Sequence, residues 1–83
     1  MRPSPEESLD ELARALAAEG PLDVPACRRL ALRATWAIDS PGDAAYLNES
    51  LCAAIDRHAE DPAEARERLE LLRPAIEIMS GRT

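Results

Sequence analysis

Three segments of this sequence share a pattern that is typical of the start of an α-helix. Each has a serine or aspartate, then proline, then an acidic residue three positions after the first, and they begin at Ser4, Ser40 and Asp61. The side-chain oxygen of the first residue can accept hydrogen bonds from free amides of the opening turn, where proline fits because no N–H is needed. The acid closes a capping box or lies near the positive end of the helix dipole. With a weaker start at Asp23, the pattern predicts four short helices.

Length and composition favour one all-α domain covering residues 1–83. Hydrophobic residues make up 46% of the chain, yet phenylalanine is absent and Trp36 and Tyr46 are the only aromatic residues. A core of leucine, isoleucine, valine and alanine suits closely packed helices and disfavours a β-sandwich, which draws on aromatic and β-branched residues. The predicted helices span residues 4–19, 25–39, 41–59 and 62–80.

Glycine and proline indicate where these helices end or bend. Gly20 and Pro21 end the first helix, since glycine suits the position after a last turn and proline cannot continue it. Pro74 lies inside the fourth helix, where it removes one amide and crowds the carbonyl of Glu70, so we predict a kink or a break near Arg73. The connections are short, which predicts that sequential helices are antiparallel neighbours.

Two of the predicted helices have more apolar surface than one core face requires. The predicted core faces contain Leu9, Leu12, Ala13 and Leu16; Cys27, Leu30, Ala31, Ala34 and Ile38; Ala44, Leu47, Leu51, Ala54, Ile55 and His58; and Ala65, Leu69, Leu72, Ile76 and Met79. A second face contains Leu32 and Trp36, surrounded by Arg28, Arg29 and Arg33, in helix 2, and Leu71, Ala75 and Ile78 in helix 4.

Such surplus apolar surface usually marks contacts with another chain, and tryptophan and arginine are enriched among binding hot spots. The favoured hypothesis is a small acidic interaction module: an accessory subunit, an adaptor, a chaperone-like partner or an obligate homodimer. Its predicted partner-binding residues are Leu32, Trp36, Arg29, Arg33, Leu71, Ala75 and Ile78. The alternative interpretation is that helix 2 or helix 4 is central in the domain and buried on both sides.

A second functional hypothesis is a DNA-binding regulator. Residues 8–16 resemble the opening helix of a helix-turn-helix, and residues 27–30 resemble the start of a recognition helix that carries Arg28, Arg29 and Arg33. The turn between them is longer than the usual three or four residues. A net charge of −6 also argues against a nucleic-acid partner, because phosphate binding depends on basic residues.

Cys27 and Cys52 lie at similar distances from the turn at Ser40, so helices 2 and 3 can bring them to similar heights. They are interpreted either as a disulfide or redox pair, or as two free thiols that act as small apolar residues. His58, the single histidine, has three functional interpretations: a phosphotransfer site, a metal ligand or a general base. It lacks the following Lys-Gly, the acid at i−3 and the zinc-site spacing that these need, which favours a structural role in the last turn of helix 3.

Several function classes lack the residues they need. All ten basic residues are arginine, so no lysine can form a Schiff base, and no glycine-rich phosphate loop or nucleophile elbow occurs. The acidic run Glu6, Glu7, Asp10 and Glu11 fits either helix capping or a basic partner and DNA mimicry. With no signal-peptide pattern and no membrane-length apolar run, we expect a soluble cytoplasmic protein that is not an enzyme and uses no cofactor, metal or small-molecule substrate.

Overall fold

A computed structural model of the chain describes residues 5–80, and within this range the regular structure is entirely α-helical. Helix α1 spans Pro5–Ala17, α2 spans Val24–Thr35, α3 spans Pro41–Arg57 and α4 spans Pro62–Met79. The all-α fold with four helices is therefore confirmed. Ser4, the first predicted cap, lies outside the described residues.

The other three helix starts are capped by the predicted side chains. Asp23 and Asp61 each accept a hydrogen bond through Oδ1 from the backbone amide three residues later, at 3.2 and 3.0 Å. Ser40 Oγ accepts in the same way at 3.4 Å. Each cap is followed by proline within the first two helical positions, where the missing amide costs nothing.

Helix α2 ends at Thr35, four residues before the predicted end at residue 39. The Thr35 hydroxyl donates to the carbonyls of Ala31 and Leu32, both at 3.2 Å, and the amide of Trp36 donates to the carbonyl of Arg33, also at 3.2 Å. An i→i−3 backbone bond of this kind is typical of the tightened last turn of a helix. Trp36 is therefore the C-cap residue of α2, at the rim of the fold.

Helix α4 has no break at its internal proline, because it runs continuously from Pro62 to Met79 through Pro74. A kink at Pro74 stays a prediction. The antiparallel direction of neighbouring helices also stays a prediction, supported by the order of contacts between α2 and α3 described below. At the end of α1, Gly20 adopts a φ of +93°, a left-handed conformation that glycine reaches without strain.

The core forms where the four helices meet, since α1 and α3 each pack against both α2 and α4. Its buried members are Leu9, Leu12, Leu16, Cys27, Leu30, Ala31, Ala34, Ile38, Leu47, Leu51, Ile55, Ala65, Leu69 and Ile76. All of them lie on the predicted core faces. Met79, also predicted there, is the last residue of α4 and is 42% exposed.

Among residues 5–80, no helix combines the length and the apolar character that crossing a bilayer requires.

Candidate protein-binding surfaces

The outward side of α2 exposes the two large apolar residues that the sequence placed away from the core. Leu32 is 53% exposed and Trp36 is 67% exposed. They are four residues apart, so they lie on the same side of the helix one turn from each other. We refer to Leu32 and Trp36 together with Arg29 and Arg33 as the α2 surface. The interpretation in which α2 is buried on both sides is wrong.

A groove of about 410 Å³ runs between α2 and α3 beside these two residues. Helix α2 and the residues after it contribute mostly bulky side chains to its lining, whereas α3 contributes two alanines and one asparagine. The lining residues are Leu32, Thr35, Trp36, Ile38, Ala44, Ala45 and Asn48. We call it the α2–α3 groove.

Asn48 is a polar residue of this groove whose side-chain oxygen has no hydrogen-bond partner. Its Oδ1 atom is buried and makes no hydrogen bond among the described residues. A buried acceptor without a donor costs about 1–3 kcal/mol relative to a satisfied one. The sequence alone contains no signal for Asn48, because periodicity does not show that α3 shares a groove with α2.

The three arginines of α2 differ in their partners. Arg28 donates from a guanidinium nitrogen to Asp56 of α3 at 2.7 Å, and this hydrogen bond, together with the carboxylate charge, raises the pKa of Arg28. Arg29 and Arg33 are exposed, and neither has an ionic partner among residues 5–80. Helix α2 contains no acidic residue. The α2 surface therefore carries positive charge that the protomer leaves uncompensated.

The second predicted face, on α4, is only partly exposed. Leu71 and Ile78 are each 74% exposed, so α4 is not buried on both sides either. Ala75, predicted to lie with them, is half-buried and packs against the core cluster. We refer to these three residues as the α4 surface, whose exposed part consists of two side chains about two turns apart.

Leu71 borders a different groove, of about 360 Å³, between α3 and α4. Its lining residues are Ser50, Ala53, Arg68, Leu71 and Leu72. This groove shares no lining residue with the α2–α3 groove. The seven predicted partner-binding residues therefore lie on two separate surfaces. Tyr46, which is 67% exposed on α3, is a further large exposed residue that the prediction did not include.

The charges between α3 and α4 are compensated within the protomer. Glu64 accepts from Arg57 at 2.9 Å and also pairs with Arg68 at 2.9 Å, and Arg57 additionally pairs with Glu60 at 3.1 Å. Hydrogen bonds from Arg57 and then Arg68 lower the pKa of Glu64. Arg68, which lines the groove beside Leu71, is therefore already paired within the protomer.

One residue of the acidic run in α1 also has an internal partner. Asp10 accepts from Arg73 of α4 at 2.9 Å, and Arg73 pairs further with Glu70 at 3.2 Å. The hydrogen bond that Arg73 donates to Glu70 is the largest cause that raises the pKa of Arg73. Part of the acidic run therefore joins α1 to α4, in addition to the helix-capping role that its position favours.

The surroundings of Cys27, Cys52 and His58 fit structural roles. Both cysteines are free thiols, and Cys27 is buried. Burial, with a smaller contribution from the charge of Asp23, raises the pKa of Cys27. His58 Nε2 lies 3.0 Å from the carbonyl oxygen of Leu16, and because a carbonyl can only accept, this nitrogen carries the proton. The bond satisfies a carbonyl in the last turn of α1 that has no partner within its own helix.

Within the described part of the chain, no three histidine, cysteine, aspartate or glutamate side chains form a group that could hold a metal ion.

Comparison of the chain with known protein families, with curated proteins and with solved structures gave no significant match.

Proposed function

We propose that this chain is a small acidic protein–protein interaction module, in which the α2 surface is the main contact and the α4 surface is a secondary one. The observation that carries the proposal is the exposure of Trp36, at 67%, beside a groove and two arginines without ionic partners. Tryptophan and arginine are the residue types most enriched where binding energy concentrates.

The free energy gained by burying apolar area shows how much binding the α2 surface can support. Burying the exposed parts of Leu32 and Trp36 removes on the order of 200 Å² of apolar area from water, worth about 5 kcal/mol at roughly 25 cal/mol per Å². Association costs about 4–15 kcal/mol in lost translational and rotational freedom. These two residues therefore act as an anchor, and stable binding needs further contacts such as Arg29 and Arg33.

DNA binding is the competing function, favoured by one observation: α2 has three arginines and no acidic residue. Two features oppose it. Arg28 is already engaged by Asp56, and the connection between α1 and α2 is six residues long, from residue 18 to residue 23, against three or four in a helix-turn-helix. We therefore treat nucleic-acid contact as an outcome of the test below.

The test places a photo-crosslinking amino acid in the full chain inside its native cell. Leu32 is replaced by benzoylphenylalanine, and the matched control carries the same replacement at Arg14, an exposed position on α1, a helix that contributes no residue to either surface. We expect an adduct at position 32 that protease digests and nuclease does not, and none at position 14. A nuclease-sensitive adduct would establish the DNA hypothesis instead. Equal yields at the two positions would overturn the proposed function.

A further inference from the structure

Given that the α2 surface is a docking site, as proposed above, we infer that its partner is a second copy of this chain, related by a two-fold axis that runs along the α2–α3 groove. An axis in this direction lays α2 of each copy over α3 of the other. Each residue of the second copy also lies at the same position along the groove as its equivalent in the first copy. The resulting interface is isologous, so each contact occurs twice.

The two sides of the groove have complementary sizes. On the α2 side, Leu32 and Trp36 project beyond the helix, while on the α3 side Ala44 and Ala45 leave room. When α2 of one copy lies over α3 of the other, Trp36 meets the alanine pair, and Leu32 meets the small residue Ser50, about one and a half turns further along α3. Close helix packing needs this match of ridges to grooves.

The register follows from the groove and from one hydrogen bond within the protomer. Residues between 32 and 38 line one side of the groove, residues between 44 and 48 line the other, and Arg28 donates to Asp56 further along α2 and α3. Residue numbers thus fall along α2 as they rise along α3, which is the order of an antiparallel pair. Interpolation between the middle of the groove and this hydrogen bond puts Arg33 about level with Glu49.

Arg33 and Glu49 lie on the outward sides of their helices. Arg33 is three residues before Trp36, and Glu49 is four residues after Ala45, so each lies next to a groove residue on its own helix. Both are exposed, and Glu49, like Arg33, has no ionic partner within the described part of the chain. The two-fold axis brings Arg33 of each copy opposite Glu49 of the other, which compensates both charges.

The overall charge of the chain does not prevent self-association through this face. Each copy has a net charge of −6, but the interface lays α2, which has arginines and no acid, over α3 of the other copy, which contains Asp43, Glu49 and Asp56. Charges more than about 8 Å apart are largely screened at physiological ionic strength.

A charge-swap series tests the inference by sedimentation equilibrium of the full chain over a wide dilution range. The series comprises the wild type, Arg33→Glu, Glu49→Arg and the double variant. We expect a dimer for the wild type and a dissociation constant raised about tenfold or more by each single change, since like charges then face each other twice. The double variant should return to within about threefold of the wild type, as restored ion pairs require.

Circular dichroism and thermal unfolding check that all four proteins are folded, as expected for exposed positions. A wild type that stays monomeric at every concentration would overturn the inference, while a protease-sensitive adduct at position 32 would still uphold the proposed function. If the dissociation constant of the double variant rises by the product of the two single increases, the Arg33–Glu49 register is wrong. A dimer weakened by Leu71→Ala but unaffected by the charge swaps would overturn the choice of surface.

Discussion

The α2 surface and the α4 surface expose large apolar side chains to a similar extent, yet their surroundings differ. Trp36 is 67% exposed and Leu71 is 74% exposed. Around Trp36, Arg33 has no ionic partner among residues 5–80, whereas Arg68 beside Leu71 is paired with Glu64 at 2.9 Å. Exposed apolar area alone therefore does not distinguish the two surfaces. The uncompensated arginines beside Trp36 are the reason that we propose the α2 surface as the main contact.

The grooves beside the two surfaces also differ in their polar residues. The α2–α3 groove contains Asn48, whose buried Oδ1 makes no hydrogen bond among the described residues, while the groove beside Leu71 contains Arg68, which is paired with Glu64. A buried acceptor without a donor costs the protomer free energy, but a chain docked on the surface does not contact a buried atom. The ranking of the two surfaces that we propose therefore rests on their charges.

The largest expected effect separates the two faces of α4. Leu69→Ala should lower the free energy of unfolding by about 3 kcal/mol, because Leu69 is 1% exposed in the core and truncation leaves a cavity. Leu71→Ala should change it by less than about 0.5 kcal/mol. Urea denaturation of both variants under dilute conditions measures this difference. Equal losses would mean that the α4 surface is covered within the protomer.

The next effect concerns association. Trp36→Ala should weaken it by about 2 kcal/mol or more, close to thirtyfold in the dissociation constant, with little loss of helicity because Trp36 caps α2 and lies outside its regular turns. Leu71→Ala should change the constant by less than about threefold. Sedimentation of both variants at matched concentrations provides the comparison. If Leu71→Ala is the more damaging of the two, the ranking of the surfaces is reversed.

A smaller effect separates helix stability from docking. Asp61→Ala removes the side-chain acceptor that caps α4 at 3.0 Å and should lower the free energy of unfolding by about 1 kcal/mol. The dissociation constant should not change, because Asp61 borders neither the α2 surface nor its groove. Chemical denaturation and sedimentation of one preparation report both quantities. A change in association would show that α4 takes part in it.

The smallest effect is a pH dependence on the side where charges are compensated. The folded-state pKa of Glu64 is lowered by Arg57 and Arg68, so the stabilisation is complete above the unfolded value of about 4.3 and is lost as the pH falls through the folded value. The stability difference between wild type and Glu64→Gln should therefore shrink between about pH 6 and pH 3. A difference that stays constant over this range would contradict the assigned ion pairs.

Features that depend on neighbouring residues in the sequence were predictable, and features that depend on packing were not. The starts at Ser40 and Asp61 follow from local capping chemistry, and the structure has them where they were expected. At the early end of α2 the amides of Trp36 and Ile38 donate to carbonyls three residues earlier, and no spacing rule reveals this change of hydrogen bonding.

The site shows the same division. Helical periodicity correctly placed Leu32 and Trp36 away from the core. It could not show that Ala75 packs against the core cluster, because periodicity does not indicate where a neighbouring helix lies. Asn48 lines the groove only because α2 and α3 pack side by side, which the sequence does not show.

Trp36 is the only tryptophan in the chain, so its fluorescence reports directly on whether association buries the α2 surface. The most direct measurement is acrylamide quenching of this fluorescence across the dilution series used for sedimentation. We predict that quenching falls and the emission maximum moves to shorter wavelength as dimer replaces monomer. A dimer in which Trp36 stays as accessible to acrylamide as in the monomer would contradict the account.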